Sequence, residues 1–329
     1  MIAISWETHR RTRSLCHELK IPLHELTSGK SGLRRYGPLT WRTARVLASA
    51  RPQLLLVQNP SIVLSCIAVV YRSLLPGARL IVDAHNIAIE QLSARSRLLR
   101  AAAQLVVKAA DRVIVTNTTL ADIVRNAGGR PVVLPDPLPV PPERRANGGL
   151  AQSKTVTVIS TFADDEPIAE IIAAAKLPEM ADFRFCFTGR SERWLRDNGP
   201  VTAPNIEFLG FVPDDVYWQQ LYESRVIVDL TTRDACLVCG AYEALAAGRP
   251  MVLSDSRANR ELFEDAACFA KIQPRSIADA VTSASAVFMT VNSTSAATKA
   301  RYQERWSVRA NEFQQEIESL RTNISIQEA

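Results

Sequence analysis

Two blocks of alternating apolar and amphipathic segments are the feature that most limits how this chain can fold. In residues 1–134, short apolar runs such as Leu80–Asp83 alternate with helical stretches such as Leu39–Ala50. Buried runs separated by helices predict parallel strands that are covered by helices on both faces. The same alternation resumes at Val156 and continues to Phe288. We therefore predict an α/β fold with two doubly wound domains.

A segment rich in Pro and Gly divides the two blocks. Residues Pro135–Gly149 read PDPLPVPPERRANGG, and prolines at this density interrupt any helix or strand. We predict domains at 1–140 and 141–305, followed by the end of a long charged helix at 306–329. Open α/β sheets bind ligands at the carboxyl ends of their strands, so we expect the ligand in a cleft between the domains.

Composition excludes several classes of protein. The chain of 329 residues is 47% hydrophobic and 22% charged, as in ordinary globular proteins. The longest apolar run, Ile62–Val70, is far shorter than the ~20 residues that span a bilayer. The N-terminal charges follow the apolar residues, the reverse of a signal peptide, so we expect a cytoplasmic protein. Cys236 and Cys239 form a CxxC without the second ligand pair of a zinc site, and we expect no metal and no cofactor.

The charge of the chain is concentrated in the first predicted domain. Residues 1–140 contain 19 Lys and Arg against 8 Asp and Glu, a net charge of +11, whereas the remaining residues carry −6. A cationic domain suits an anionic membrane surface, a pyrophosphate-linked acceptor or nucleic acid. We find no nucleic-acid recognition motif, and only 6% of the residues are aromatic, which argues against nucleic acid.

The segment Arg233–Asp255, RDACLVCGAYEALAAGRPMVLSD, predicts a loop, a helix, a turn and a buried strand. Free N–H groups of Cys239, Gly240 and Ala241 at the start of the helix would favour an anion. Glu243, in the first turn, could accept hydrogen bonds from sugar hydroxyls, and we expect it to be exposed. These features suit a nucleotide-sugar. The alternative is that Glu243 only complements the helix dipole.

The sequence AYEALAAGRPMVLSD resembles the most recognisable segment of the GT-B glycosyltransferases, especially family 4. In that family two Glu residues separated by seven positions bind the donor, and Glu243 matches the second, which holds the nucleotide ribose. Ala235 stands at the position of the first. The resemblance implies two Rossmann-like domains that face each other across a cleft, with a C-terminal helix that crosses back to the first domain. It also implies transfer of a sugar from a nucleotide-diphosphate donor.

The loop DAHN, which contains Asp83 and His85, follows a predicted buried strand. A carboxylate and an imidazole two residues apart can divide proton transfer at a sugar hydroxyl. The alternative is an Asx-type turn that caps the next helix. LLVQNP followed by LIVDAHN resembles the chitobiosyl-diphosphodolichol β-mannosyltransferase group and related bacterial polysaccharide enzymes. We predict Asp83 and His85 as catalytic candidates, with Glu7 behind them.

Further donor-binding candidates follow strands of the second predicted domain. Ser160 and Thr161 begin an acidic loop that resembles the same β-mannosyltransferase group, and its backbone N–H groups would replace the family's basic diphosphate clamp. Arg190 and Arg233 could bind the diphosphate, because a guanidinium matches phosphate oxygens in pairs. Phe211 lies in a loop that resembles the family's base-contacting loop. The alternatives are a capped helix start for the acidic loop and solvated surface arginines.

Acceptor and membrane contacts are predicted in the first domain. The loop after the first strand lacks glycine, so Glu7 and His9 would make contacts through their side chains. The segment from Lys30 to Arg45 mixes cations and aromatic residues, as interfacial segments do. Its candidate residues are Arg34, Arg35, Trp41, Arg42 and Arg45. The alternative is a helix with one solvated basic face.

Taken together, these features predict a glycosyltransferase that moves a sugar from a nucleotide-diphosphate sugar to a lipid-linked or polysaccharide acceptor. We expect it to associate peripherally with the cytoplasmic face of the membrane. One alternative is a nucleotide-sugar epimerase, which would need no basic acceptor domain. Another is a non-catalytic GT-B subunit of a polysaccharide assembly complex. The sequence leaves open the donor base, the sugar and whether the anomeric carbon is inverted.

Overall fold

The computed structural model describes residues 1–59, 61–84, 86–143, 154–288 and 292–327. The chain divides into two compact units. The first contains Met1–Pro137 together with Arg305–Ala329, and the second contains Leu138–Glu304.

The first unit is built on a parallel sheet in the order β2-β1-β3-β4-β5-β6. Its strands are β1 (Ile2–Ser5), β2 (Leu23–Glu25), β3 (Leu54–Asn59), β4 (Arg79–Ala84), β5 (Arg112–Val115) and β6 (Pro131–Val133). Its helices are α1 (Arg10–Glu18), α2 (Tyr36–Ala50), α3 (Ile62–Leu74), α4 (Asn86–Glu90), α5 (Arg97–Ala109) and α6 (Thr118–Asn126). Every residue of β3 is buried, as expected for a central strand covered on both faces.

The second unit repeats this architecture in the order β12-β11-β10-β7-β8-β9, again with parallel pairing. Its strands are β7 (Thr155–Val158), β8 (Arg184–Thr188), β9 (Ile206–Gly210), β10 (Val226–Asp229), β11 (Met251–Ser254) and β12 (Ala267–Ala270). The helices that follow are α7 (Ile168–Ala175), α8 (Glu192–Asn198), α9 (Asp214–Glu223), α10 (Cys239–Ala247), α11 (Arg257–Phe263), α12 (Pro274–Phe288) and α13 (Asn292–Gln327).

The end of α13 completes the core of the first unit. Phe313 and Ile317, on one side of this helix, pack in the same cluster as Leu15 of α1 and Leu56 of β3. Phe313 is 1% exposed. The charged tail of the chain therefore hides an apolar stripe, and the first unit is formed from both ends of the sequence.

The fold class predicted from the sequence is confirmed, with one local correction. The sequence of Ile89–Ala110 predicts a single helix, but α4 ends at Glu90 and α5 starts only at Arg97. The Ser96 side chain accepts a hydrogen bond from the Leu99 N–H at 3.3 Å and caps the new helix. Among the described residues, no helix combines the length and the apolar character needed to cross a bilayer.

The strand order fixes where each sheet opens. The chain reverses its direction across the sheet between β1 and β3 in the first unit, and between β7 and β10 in the second. Loops that leave neighbouring strands on opposite faces create a crevice at such a point. The loops that follow β7 and β10 are therefore the first place to look for a ligand site in the second unit.

Candidate functional site

Asp83, near the end of β4, lies in a buried ion pair. It is 0% exposed, and Arg11 donates to its Oδ1 from Nε at 3.3 Å and from Nη2 at 3.1 Å. Arg11 also forms an ion pair with Asp136 and donates to the Leu134 carbonyl at 3.1 Å. The Arg11 guanidinium thus joins β4 to α1 and to the chain that follows β6. His85 lies outside the described residues, so its pairing with Asp83 stays a prediction.

The loop after β1 is anchored by its aromatic residue. Trp6 is buried and donates its indole N–H to the Thr43 hydroxyl of α2 at 2.8 Å. Glu7 is half-exposed and lies 3.7 Å from Nη2 of Arg35. His9, the residue before α1, is partly exposed. Glu7 and His9 therefore lie at the carboxyl end of β1, and their predicted contacts with an acceptor remain untested.

The segment from Lys30 to Arg45 forms a short 3₁₀ turn at Gly32–Arg35 and the first part of α2. The Trp41 ring is 60% exposed, and the Arg45 guanidinium lies 4.8 Å from its centre. The arginines predicted to contact the membrane differ in their surroundings. Arg34 is exposed, Arg35 lies 5.3 Å from the Tyr36 ring centre, and Arg42 donates to the Thr27 carbonyl at 2.7 Å.

In the second unit, Asp229 at the end of β10 touches the start of α10. Its Oδ2 accepts the Gly240 N–H at 2.9 Å. A Cβ on residue 240 would lie 2.3 Å from that oxygen, so only glycine allows this approach. The Ala241 N–H also has a partner, the Val238 carbonyl at 3.3 Å. The expectation of free N–H groups at Gly240 and Ala241 is therefore wrong, because a carboxyl of the protein occupies the helix start.

The acidic loop after β7 is also closed by a carboxylate. Glu166 accepts hydrogen bonds from the Thr161 N–H at 2.9 Å, the Thr161 hydroxyl at 2.7 Å and the Phe162 N–H at 2.8 Å. Phe162 has a left-handed backbone with φ of 60°. The N–H groups that were expected to bind a diphosphate thus hold Glu166, which in this conformation takes the place of an anionic ligand.

Glu243 is buried rather than exposed, which corrects the expectation from its position in the sequence. Glu243 is 6% exposed, and its Oε2 accepts a hydrogen bond from the Tyr217 hydroxyl of α9. The helices α9 and α10 pack against each other, and this bond holds the carboxylate between them. Because α10 begins at Cys239, Glu243 follows the first turn of the helix, whereas the sequence predicts it within that turn. Tyr217 was not predicted as a site residue, because its place in the sequence of α9 gives no sign of Glu243.

The two arginines expected to bind a diphosphate have different surroundings. Arg233 lies 3.4 Å from the Asp165 carboxylate, which also accepts the Thr231 hydroxyl at 2.9 Å. Arg190, after β8, is exposed, and its guanidinium lies 5.5 Å from the centre of the exposed Phe211 ring. Arg190 and Phe211 therefore form a cation–aromatic pair at the surface, whereas Arg233 is tied to an acidic loop.

Ser160 joins the loops after β7 and β8. Its hydroxyl donates to the Thr188 carbonyl at 2.7 Å, and its N–H donates to the Thr188 hydroxyl at 3.3 Å. Gly189 follows with φ of 92°, and a Cβ there would lie 2.1 Å from the Ser160 carbonyl oxygen. Glycine is required at 189 for both reasons. Ser160 thus contributes to the shape of the loop pair through contacts within the protein.

Four carboxyl groups meet around the crevice of the second unit, contributed by Asp165, Glu166, Asp229 and Glu243. Burial raises the pKa of Asp229 well above its ordinary value of 3.8, and the charges of Glu166 and Glu243 raise it further. The described residues contain no group of three or more His, Cys, Asp or Glu arranged to hold a metal ion. Burial and the neighbouring carboxylates therefore favour the protonated form of Asp229.

Two family models match the chain. The model described as "Glycosyl transferase 4-like domain" matches residues 4–137, and the one described as "Glycosyl transferases group 1" matches residues 153–286. Each match falls on one parallel sheet and its helices. The chain has no significant match among curated proteins.

Solved structures with the same fold are numerous. Sucrose-phosphate synthase from Thermosynechococcus elongatus matches with a TM-score of 0.70 and 16% identity, over 90% of this chain and 81% of that one. Anabaena HepE in complex with UDP-glucose matches with a TM-score of 0.60 and 15% identity, over 99% and 90%. A putative UDP-N-acetylglucosamine 2-epimerase from Listeria monocytogenes matches with a TM-score of 0.57 and 12% identity, over 97% and 87%. At these identities the likeness shows the fold alone.

The proton on Asp229 should make the stability of the protein depend on pH. Because the folded-state pKa is raised, this contribution to stability is complete below the unfolded value of 3.8 and is lost as pH rises towards the folded pKa. In Asp229→Asn, the amide oxygen can still accept the Gly240 N–H but does not titrate. We expect the melting temperature of the variant, relative to wild type, to rise between pH 4 and pH 8.

Asp255, just after β11, provides a control of opposite sign. The Arg260 guanidinium donates to its Oδ1 at 2.5 Å and lowers its pKa. Asp255→Asn should therefore lose stability relative to wild type as pH rises towards the unfolded value of 3.8, and the difference should be constant above about pH 5, where that of Asp229→Asn still changes. Both series can be measured by thermal melting. A difference for Asp229→Asn that stays constant across this pH range would contradict the protonated carboxyl.

Proposed function

The chain belongs to the GT-B glycosyltransferases of the family 4-like type, and from that premise we propose that it uses a nucleotide-diphosphate sugar as donor and a lipid-linked or polysaccharide acceptor. The observation that carries the donor proposal is the Glu243 carboxylate of α10, which accepts a hydrogen bond from the Tyr217 hydroxyl. Because both family models describe glycosyltransferases, neither the epimerase nor the non-catalytic subunit is favoured.

The donor proposal places the nucleotide at the crevice between β7 and β10. Open α/β sheets bind ligands where the strand order reverses, and α10 begins there. Gly189 and Gly240 let the Ser160 carbonyl and the Asp229 carboxyl approach the backbone closely at this edge. A carboxylate fixed by a tyrosine can accept two hydroxyl groups of a ribose, since each oxygen has two acceptor positions. The UDP-glucose in HepE, a protein of the same fold, supports a donor of this kind.

For the diphosphate, we propose Arg190 as the main cation. It is exposed at the end of β8, which is the neighbour of β7, whereas Arg233 is already bound to Asp165. A guanidinium can pair with two phosphate oxygens. An incoming diphosphate could also displace Glu166 from the N–H groups of Thr161 and Phe162, because it offers the same acceptors with more charge. Phe211, which stacks with Arg190, would then contact the base.

For catalysis, we propose that His85 accepts the proton of the acceptor hydroxyl and that Asp83 has a supporting role. Asp83 is fully buried and its Oδ1 binds Arg11, an arrangement that suits a residue holding the end of β4 in place. An imidazole has an unperturbed pKa near 6.5, which suits a general base at neutral pH. Glu7, half-exposed beside Arg35, is the second candidate for this role.

For the acceptor, we propose that the first unit works at an anionic membrane surface. Residues 1–140 carry a net charge of +11, and the segment from Lys30 to Arg45 exposes Leu33 and Trp41 among its arginines. Cations and amphipathic aromatic rings at one surface are typical of interfacial segments. A lipid-linked acceptor would be presented to the enzyme at that surface.

The donor site is tested by comparing the affinity for UDP of the wild-type protein and of two single-residue variants. Glu243→Gln should weaken binding of UDP about ten- to a hundred-fold, because hydrogen bonds to a charged acceptor contribute about 1.5–3 kcal/mol. Tyr217→Phe should lose up to about ten-fold, since one neutral hydrogen bond contributes about 0.5–1.5 kcal/mol. Calorimetry or thermal shift would measure both, with GDP and ADP in parallel to find the preferred base.

The ribose contact has its own control. Binding of 2′,3′-dideoxy-UDP should be weak in wild type and change little in Glu243→Gln, because the hydroxyl groups are missing. Glu170, in the first turn of α7, is a matched acidic residue, and Glu170→Gln should bind UDP like wild type. If Glu243→Gln keeps the wild-type preference for UDP over its dideoxy analogue, Glu243 does not hold the ribose.

The catalytic proposal predicts different effects for variants of His85 and Asp83, the first on turnover and the second on stability. His85→Ala should lower kcat about 10²–10⁴-fold without weakening donor binding, because a general base contributes about that much. Asp83→Asn should lower the free energy of unfolding by less than the about 3–5 kcal/mol of a fully broken buried ion pair, because Arg11 keeps its ion pair with Asp136. His17→Ala, with a side chain that is 86% exposed, is the control. Near wild-type turnover in His85→Ala would exclude it as the base.

The membrane proposal is tested by charge reversal in the segment from Lys30 to Arg45. Each Lys or Arg near an anionic bilayer contributes about 1 kcal/mol, and salt screens the attraction. Replacing Arg34, Arg35, Arg42 and Arg45 with Glu should abolish cosedimentation with phosphatidylglycerol vesicles at low salt. Cosedimentation that survives these changes, or that is insensitive to salt, would contradict the proposal.

A further inference from the structure

Three neighbouring helices of the first unit contain no acidic residue. In this unit α3 packs between α2 and α5 and lies on β3 and β4. None of these three helices contains Asp or Glu. Their six cations are Arg42, Arg45, Arg72, Arg97, Arg100 and Lys108. By contrast, Arg125 on the next helix, α6, lies 2.5 Å from Asp122. One helical layer on the sheet therefore carries cations but no acidic side chain of its own.

The outer surface of the same helices is apolar. Val70 and Leu74 of α3 are 57% and 75% exposed, and they are four residues apart on one side of the helix. Leu98 and Leu105 of α5 are 82% and 55% exposed, and their spacing of seven residues also places them on one side. An outer helix of a soluble α/β domain usually shows polar residues there. We call the outer surface of α2, α3 and α5 the α2–α3–α5 face.

Cations flank the exposed leucines. Arg97 and Lys108 of α5 are exposed on the same side as Leu98 and Leu105. Arg45 on α2 lies over the exposed Trp41 ring. Arg72 is the exception, because it donates to both oxygens of Asp111 at 2.9 and 3.0 Å and is neutralised within the protein. The α2–α3–α5 face thus combines leucine, valine and tryptophan side chains with uncompensated positive charge.

This combination selects one kind of occupant. Two copies of the chain would bring two cationic faces together, and like charges oppose such a contact. An anionic bilayer offers phosphates to the cations and an apolar boundary layer to the side chains between them. We propose that the α2–α3–α5 face is the surface by which this glycosyltransferase lies on an anionic lipid bilayer. The inference rests on the proposed membrane acceptor and extends the contact well beyond the segment from Lys30 to Arg45.

The proposal is tested with the full chain and vesicles of phosphatidylcholine with or without phosphatidylglycerol. Leu74→Gln and Leu105→Gln lie outside the segment from Lys30 to Arg45, so they report on α3 and α5 alone. Each should weaken partitioning into phosphatidylglycerol vesicles at least about ten-fold, because the variant loses the favourable free energy of moving a leucine side chain from water into the bilayer. Arg97→Gln and Lys108→Gln should each weaken it about five-fold at low salt and less at high salt.

Matched controls are exposed valines elsewhere in the chain. Val216 of α9 and Val308 of α13 are 47% and 52% exposed. Val216→Gln and Val308→Gln should partition like wild type. UDP binding by every variant shows that the fold and the donor site are intact, so loss of vesicle binding with normal UDP binding assigns the effect to the face.

Three results would overturn the inference. The first is that Leu74→Gln and Leu105→Gln bind vesicles like wild type, whereas charge reversal between Lys30 and Arg45 abolishes binding. Only that segment would then be the membrane contact. The second is self-association of wild type in light scattering that the leucine variants abolish, which would make the face a contact between two copies. The third is absence of vesicle binding by a wild-type protein that binds UDP, which would refute the membrane contact but not the donor site.

Discussion

Parallel strand pairing is the constraint on which both units depend. When all strands of a sheet run in one direction, their carboxyl ends meet at one edge, and the connecting helices must cover the faces. The residues that follow the strands are then brought together whatever their distance in sequence. Asp229, at the end of β10, meets Glu166, which follows β7, for this reason. The chemistry of the second unit is therefore concentrated in the loops at one edge of one sheet.

The second unit uses its own carboxyl groups to fill the positions that favour anions. Asp229 binds the N–H at the start of α10, and Glu166 binds two N–H groups of the loop after β7. Both positions would otherwise attract a phosphate group. In the donor site that we propose, a diphosphate would compete with Glu166 and pair with Arg190, whereas the Glu243 carboxylate is already held by Tyr217. Sugar-nucleotide affinity should therefore depend more on the ribose than in a site with a basic clamp.

The first unit distributes its charge in a different way. Its buried charges form closed groups, such as Arg11 with Asp83 and Asp136, which link distant parts of the chain. The helices α2, α3 and α5 of the outer layer contain no acidic residue, and of their cations Arg72 is neutralised by Asp111. Breaking a buried ion pair would leave an uncompensated charge in the core, so these pairs fix how the linked segments meet. The exposed cations lie beside exposed leucines, a combination typical of interfacial surfaces. The membrane contact that we propose would therefore use the cations of the outer layer and leave the buried ion pairs intact.

The sequence alone determined the fold class and the family, because apolar periodicity, the linker composition and the segment around Glu243 are local signals. It also located the helix and the turn within Arg233–Asp255, and in the structure the C-cap of α10 is Gly248, whose left-handed backbone favours glycine. The tertiary structure decided which polar groups are satisfied: Gly240 by Asp229, Thr161 by Glu166, and Glu243 by Tyr217. These partners come from different strands and helices, and no local pattern records them. Whether a carboxylate is exposed to a ligand or held by the protein is therefore a property of packing, which the sequence cannot show.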